Sequence, residues 1–216
     1  DTGRIVVGGD EVVLRSVSHA RSLGIDTVYQ DLALVDELSV YHNMFLNREL
    51  SRWRLLRNRT MKRMAAEHLR EIGVHIPDVS VDVARLSGGQ RQAIAVARSV
   101  YSARRVLLLD EPLAAMGAKE GAQILNLIAD LACRHDLFVF TDEVYEHFVF
   151  DGRTHVSPAT LPHMGERTIT MSSLSKTLAA TGWRLGWMAA DARWTRAFGP
   201  LNDLFYICAP SPLQLG

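Results

Sequence analysis

Two short stretches carry residues that could do chemistry. Residues 172–186 read SSLSKTLAATGWRLG, and residues 86–92 read LSGGQRQ. In the first, Lys176 sits in an S-x-S-K setting with Arg184 eight residues on. An amine is thus set among hydroxyls and near a guanidinium that can bind an anion. Taken alone, a lysine is far more often a solvated surface residue. In the second, a serine and two glycines open a helix, whose first backbone N–H groups and positive dipole end suit a phosphate. The same residues also read as a serine N-cap followed by glycines that permit close packing. Seventeen residues after Gly89 comes VLLLDEP, an apolar run ended by Asp110 and Glu111, and residues 137–147 read LFVFTDEVYEH. Asp142 by itself reads equally as a strand-end turn or helix cap.

The elements that must position these residues follow from periodicity. From 1 to about 50, short β-rich pieces (RIVV, TVYQ) alternate with polar turns, a partial sheet region. MKRMAAEHLREIG places Met61, Ala65, Leu69 and Ile72 on one helical stripe, with Gly73 at the C-terminal cap. A helical insert is expected over about 51–90. Ala93, Val96, Ala97 and Val100 again fall at helical spacing, and RVLLLDEP reads as a buried strand. Residues 119–135 carry Ile124, Leu125, Ile128, Leu131 and Ala132 on one face, and LFVFT reads as a second buried strand. Strand, helix and strand predict a βαβ unit with RVLLLDE and LFVFT as parallel neighbours. Glu111 and Asp142 are then expected at one sheet edge. A turn at Asp151-Gly152 precedes two further strands, RTITM and RLGWMAA. The fold class is α/β, with a mostly parallel sheet, βαβ crossovers and a helical insert.

At 216 residues, 48% apolar and 22% charged, the chain has a globular composition and the length of one ordinary domain. Lys plus Arg and Asp plus Glu balance at 24 each, so no net field favours a nucleic-acid partner. The basic run RWRLLRNRTMKR at 52–63 reads as a solvated helix face. No apolar run reaches the ~18 residues of a spanning helix and no signal peptide opens the sequence, so a cytoplasmic location is expected. Cys133 and Cys208 lack metal-type spacing and read as buried thiols. The Asp1 start and APSPLQLG end suggest a piece open at both ends.

Residues 1 to about 125 resemble the ATP-binding subunit of an ABC transporter of the sugar-import type. VYQDLAL stands for the glutamine loop, LSGGQ for the signature and VLLLDEP for the Walker B strand. The resemblance implies that Asp110 holds the Mg²⁺ of Mg-ATP, that Glu111 polarises the attacking water and that Gln30 senses both. Ser87, Gly88, Gly89 and Gln90 would contact nucleotide bound by a second ATPase subunit, and the pair would dock on a membrane permease. The phosphate cradle GxxxxGK[ST] does not occur in the sequence, and Glu143 falls where the family places a switch histidine, with His147 nearby.

Residues about 128 to 216 resemble a class I aminotransferase of the fold type I pyridoxal-phosphate group. The resemblance implies that Lys176 forms a Schiff base with the cofactor, that Asp142 faces its pyridine nitrogen, that Tyr145 bonds its phenolic oxygen, and that Ser173 and Arg184 bind its phosphate. An amino acid or keto acid would be the substrate. The chain is thus expected to be a composite of two family fragments, a partial ABC-type domain over 1–125 and a partial aminotransferase large domain over 126–216, joined near 122–132. It is expected to lack the complete activity of either, with pyridoxal-phosphate binding as the residual chemistry; an importer ATPase fragment is the alternative.

Overall fold

The computed structural model describes residues 3–102, 105–114 and 116–205. The chain divides into two compact units, Asp1–Leu127 and Ile128–Gly216.

The first unit opens with a hairpin, β1 (Ile5–Val7) against β2 (Asp10–Val12), turned at Gly8 and Gly9. Both glycines have positive φ, 65° and 95°, as a two-residue hairpin turn requires. A short helix α1 (Val17–Ser22) leads to β3 (Ile25–Val28), followed by α2 (Val40–Met44). A second hairpin, β4 (Ser51–Arg52) and β5 (Leu55–Leu56), precedes α3 (Asn58–Glu71), α4 (Gly88–Ser102) and β6 (Val106–Leu109). Half of the basic run read as a helix face is therefore hairpin. Its turn residues Trp53 and Arg54 both have positive φ, and Trp53 is 85% exposed.

The core of this unit is where α2, α3 and α4 meet. Met61, Ala65, Leu69 and Ile72 form the stripe expected of α3 and are each at most 3% exposed. Gly73 (φ 81°) lets the chain leave the helix, with the Val74 N–H donating to the Leu69 carbonyl. On α4, Ile94, Ala95, Val96 and Ala97 are fully covered, a broader face than the pattern Ala93, Val96, Ala97 and Val100 implies. Each large apolar side chain buried here stabilises the unit by about 1.5–3 kcal/mol. A polar anchor completes it. The Asn43 side chain is wholly buried, accepts from the Val35 N–H (2.8 Å) and donates to the Val35 and Leu38 carbonyls.

The second unit holds β7 (Val139–Asp142), β8 (Thr168–Ser173), α6 (Leu174–Thr177), β9 (Gly186–Ala189) and α7 (Ala192–Phe205). The helix α5 (Ala118–Arg134) runs unbroken across the boundary between units. β8 is central, parallel to β7 and antiparallel to β9. Ala129, Ala132 and Met164 make a small core with Cys133, Val139 and Leu161. Arg167 closes the end of α5 by donating to the Asp136 carboxylate (3.0 Å) and to the Ala132 and Leu137 carbonyls. The expected turn lies at Asp151 and Gly152, both with positive φ.

Several expectations are corrected. Among the described residues the strands form four small sheets rather than one mostly parallel sheet: β3–β6 and β7–β8 pair in parallel, and β1–β2, β4–β5 and β8–β9 antiparallel. RVLLLDE and LFVFT are not neighbours. β6 pairs with β3 and β7 with β8, so Glu111 follows a strand of one sheet and Asp142 ends a strand of another, not one shared sheet as expected. Nor are these strands buried on both faces. Val106 and Leu108 of β6 are 43% and 51% exposed, and Phe140 of β7 is 61% exposed. A continuous apolar run signals a strand covered on both sides, but each of these has one side half-buried and the other exposed. Cys133 is half-buried, and Cys208 lies outside the described residues. Among the described residues no helix is long and apolar enough to cross a membrane.

One titration follows from the packing of α3 on α4. His68 is half-buried, its Nε2 lies 3.0 Å from the Ala97 carbonyl, and its ring meets the Tyr101 ring edge to face. Burial holds its pKa below the ordinary 6.5, outweighing the Ala97 carbonyl and Glu71, which act the other way. The unfolded chain therefore binds more protons than the folded one just below 6.5, so this stability is present above that value and lost as pH falls. We expect thermal melts of the first unit to shift down between about pH 7 and pH 5, and less so in His68→Gln. An equal shift in both proteins would exclude His68 as the source.

Candidate functional site

The second unit brings its chemistry to one edge of the three-stranded sheet. β7 ends at Asp142, parallel β8 ends at Ser173, and antiparallel β9 begins at Gly186, which is paired with Ser173. Tyr145 lies in the turn after β7, while Lys176 and Arg184 lie in the connection from β8 to β9. The pleat puts Asp142, Met171 and Met188 in one row across the sheet.

The local geometry is well tied. Ser173 caps α6, its hydroxyl accepting from the Ser175 N–H (3.3 Å). The Thr181 hydroxyl donates to the Ser175 carbonyl (3.1 Å), and Arg184 donates from Nη1 to the Thr181 carbonyl (3.3 Å). Arg184 itself has left-handed backbone geometry (φ 55°), which turns the chain into β9. The Lys176 ammonium lies 5.8 Å from the Tyr145 ring centroid, and Tyr145 meets Phe148 edge to face. The Asp142 carboxylate accepts from the Val144 N–H at 3.2 Å. Asp142, Tyr145, Lys176 and Arg184 are all exposed, open to a ligand from solvent. Gly186 is required by space, since a Cβ there would stand 2.9 Å from the Ser172 carbonyl oxygen.

Next to this edge lies a buried polar cluster that sequence reasoning did not single out. Glu143 is 7% exposed. One carboxylate oxygen accepts from Thr141 (2.7 Å) and Ser157 (2.8 Å), and the other from His155 Nε2 (2.7 Å). Burial pushes its pKa up, but the hydrogen bonds from His155, Thr141 and Ser157, with the nearby His155 charge, together hold it below the ordinary value. Glu143, expected from the sequence where a switch histidine would fall, lies in this cluster. His147 faces Glu146 at 3.9 Å. Only the adjacency of Asp142 and Glu143 in sequence hinted at the cluster, because His155 and Ser157 arrive from a long connection.

In the first unit, β3 and β6 are parallel neighbours, and the Asp110 N–H donates to the Val28 carbonyl (2.9 Å). Gln30 and Asp110 thus emerge at the same end of adjacent strands, and both are exposed. Glu111 is exposed with a left-handed φ of 44°. Ser87 and Gln90 form a reciprocal cap on α4: the Ser87 N–H donates to Gln90 Oε1 (3.1 Å), and the Gln90 N–H to Ser87 Oγ (3.3 Å). Gly88 is exposed. Gly89 is buried beneath the Glu120 side chain, which a Cβ would meet at 3.2 Å. The serine-cap reading of SGGQ thus describes its present hydrogen bonding. Arg98, which no motif marked, holds the loop after β3 by donating to the Leu32 and Ala33 carbonyls, both at 2.8 Å.

The sequence profile of the family "Aminotransferase class I and II" matches residues 54–215. The chain belongs to that family. The matched range also runs across LSGGQ and VLLLDEP, where the sequence resembles the ATP-binding subunits of sugar importers. The chain is 51% identical over 86 residues to aromatic-amino-acid aminotransferase 2 of Thermococcus litoralis, covering 40% of this chain and 22% of that one. It is 44% identical over 131 residues to the xylose/arabinose import ATP-binding protein XylG of Sulfolobus acidocaldarius, covering 61% and 52%. It thus spans about half the length of that importer protein and about a fifth of that enzyme. Among solved structures, the aromatic aminotransferase from Pyrococcus horikoshii OT3 aligns with 32% identity over 56% of this chain and 38% of that one, at a TM-score of 0.45. In sequence the chain resembles a sugar-import ATP-binding protein in one part and an aminotransferase in the other.

The tight approach at Gly186 gives a test of the edge. Gly186→Ala should destabilise the second unit by about 1–3 kcal/mol, because the obstacle is backbone rather than a flexible side chain. Gly182→Ala, with nothing within 4 Å, should be close to neutral. Chemical denaturation followed by hydrogen exchange in β8 and β9 checks both.

Proposed function

We propose that the second unit is a pyridoxal-phosphate site in which Lys176 carries the cofactor covalently. The observation that supports it most directly is the convergence of Asp142, Ser173, Lys176 and Arg184 on one sheet edge, with the Lys176 ammonium held over the Tyr145 ring. The donor set fits the group. A carboxylate suits the pyridine nitrogen, a phenol the ring oxygen, and a hydroxyl with a guanidinium the phosphate. When bound, the cofactor supplies an electron sink for charge developing at the α-carbon of an amino acid. Lys176 would be the amine that holds the cofactor, and it would hold or return a proton at the substrate α-carbon. Asp142 would keep the ring nitrogen protonated, Tyr145 would donate to the ring oxygen, and Ser173 and Arg184 would anchor the phosphate. An amino acid or keto acid is the substrate class, and binding is weak because exposed residues supply little preorganisation.

The experiment is reduction with borohydride after incubation with pyridoxal phosphate, followed by peptide mapping. The sequence has three lysines, Lys62, Lys119 and Lys176. Label concentrated on Lys176 is expected, and Lys176→Arg should abolish it. Label spread evenly over the three would remove the assignment.

A second reading is supported by the shared strand end of Gln30 and Asp110 and by the likeness to sugar-import ATP-binding proteins. In that reading Asp110 holds Mg²⁺, Glu111 polarises water, and Ser87, Gly88, Gly89 and Gln90 meet nucleotide on a second ATPase subunit, the pair docking on a permease at the cytoplasmic side. Because the sequence contains no GxxxxGK[ST], positioning of the γ-phosphate has no lysine to depend on. We expect no ATP hydrolysis above background from the 216-residue chain. Mg²⁺-dependent phosphate release that disappears in Glu111→Gln would show the opposite.

A further inference from the structure

Asp142 and Glu143 are consecutive, yet one is exposed and the other buried, so the chain sends the two carboxylates to opposite sides as β7 ends. The turn that follows is tied down at every residue that matters. The Glu143 N–H donates to the Met171 carbonyl (2.8 Å), extending the β7–β8 ladder by one step. The Glu146 N–H donates to the Glu143 carbonyl (2.9 Å). The buried Ser172 hydroxyl lies 2.8 Å from Glu146 Oε1 and 3.3 Å from the Glu143 carbonyl, joining this turn to the strand that leads into Ser173 and Lys176. The Glu143 side chain anchors the whole turn from below, through His155 Nε2, Ser157 and Thr141.

A serine, a histidine and a carboxylate together suggest hydrolytic chemistry, but the order is wrong for it. Ser157 donates to the carboxylate and not to His155, so the serine–imidazole hydrogen bond of a hydrolytic triad is not formed. A buried ionised carboxylate that accepts from Thr141, His155, Ser157 and, at 3.5 Å, Thr170 is instead a rigid anchor.

We propose that Glu143 is a positioning residue of the cofactor site: with His155 and Ser157 it fixes the turn that presents Asp142 and Tyr145 to a ligand held at Lys176. This role rests on the pyridoxal-phosphate reading above. Glu143 touches neither cofactor nor substrate and acts only through its neighbours. His155 is the place to test it, because its side chain is 35% exposed and can be replaced without opening the core.

Two measurements are needed on the full chain. In cofactor-free protein, amide exchange at Val144 and Glu146 should accelerate in His155→Ala while amides shared by β8 and β9 keep their protection. His155→Gln, which retains a donor, should restore the wild-type rate. With pyridoxal phosphate, the concentration that half-saturates borohydride-fixed label at Lys176 should rise about tenfold in His155→Ala, the size expected for a lost charge-assisted hydrogen bond. It should return toward wild type in His155→Gln. Unchanged exchange and unchanged half-saturation in His155→Ala, with wild-type label still concentrated on Lys176, would overturn the role of Glu143 and leave the cofactor reading standing. Wild-type label with no preference for Lys176 would overturn both, whatever the exchange shows.

Discussion

The second unit depends on one arrangement, the hydrogen bonding of β8 along both its edges. β7 on one side and β9 on the other are held in register by this strand, and Thr168, Ile169 and Ser172 along it are almost wholly covered. Because β7 runs parallel to β8 and β9 antiparallel, their chemically useful ends coincide at a single edge. Close approach at Gly186 is what allows the third strand to join there. Remove that pairing and Asp142, at the end of β7, Ser173, at the end of β8, and Arg184, just before β9, have no common frame.

The first unit has a different basis. Its β3–β6 pair is only two strands wide, and its stability comes from three helices that share an apolar interior around Met61, Leu69, Ile94 and Val96. Buried polar groups set the detail. Asn43 satisfies the loop before α2 through several backbone groups at once, and Arg98 does the same for the loop that carries Gln30. An arginine with two carbonyl partners fixes an irregular loop more firmly than one apolar contact would, because the donors of the guanidinium are rigidly spaced.

What the sequence made legible was local. The α3 stripe, the glycine that ends it, the strands RTITM and RLGWMAA and the turn at Asp151-Gly152 depend on near neighbours, and the structure has them where the pattern placed them. What it did not make legible was pairing. An apolar run such as VLLL says that a strand wants cover but not which strand will lie beside it, and β6 and β7 found different partners. The Glu143 cluster was hidden for a related reason: its donors come from residues 12 and 14 positions away, across a connection with no periodicity to read. The serine and glycines of LSGGQ were ambiguous in sequence for a third reason, since the same side chains that could meet an anion also cap their own helix.

The exposed hairpin tip at Trp53 has a spectroscopic consequence. The sequence has four tryptophans, and Trp53 alone belongs to the first unit, where it is already 85% exposed. Its emission should be red-shifted in the native protein and change little when the helices around it come apart. Trp194, by contrast, donates its indole N–H to the Glu166 carbonyl and stacks edge to face with Phe138 at 4.7 Å, while Trp183 and Trp187 are about half covered. Intrinsic fluorescence is therefore nearly blind to one unit and sensitive to the other. A denaturation curve followed by tryptophan alone describes the sheet with Lys176 at its edge, whereas circular dichroism, with α3 and α4 in one unit and α7 in the other, reports on both.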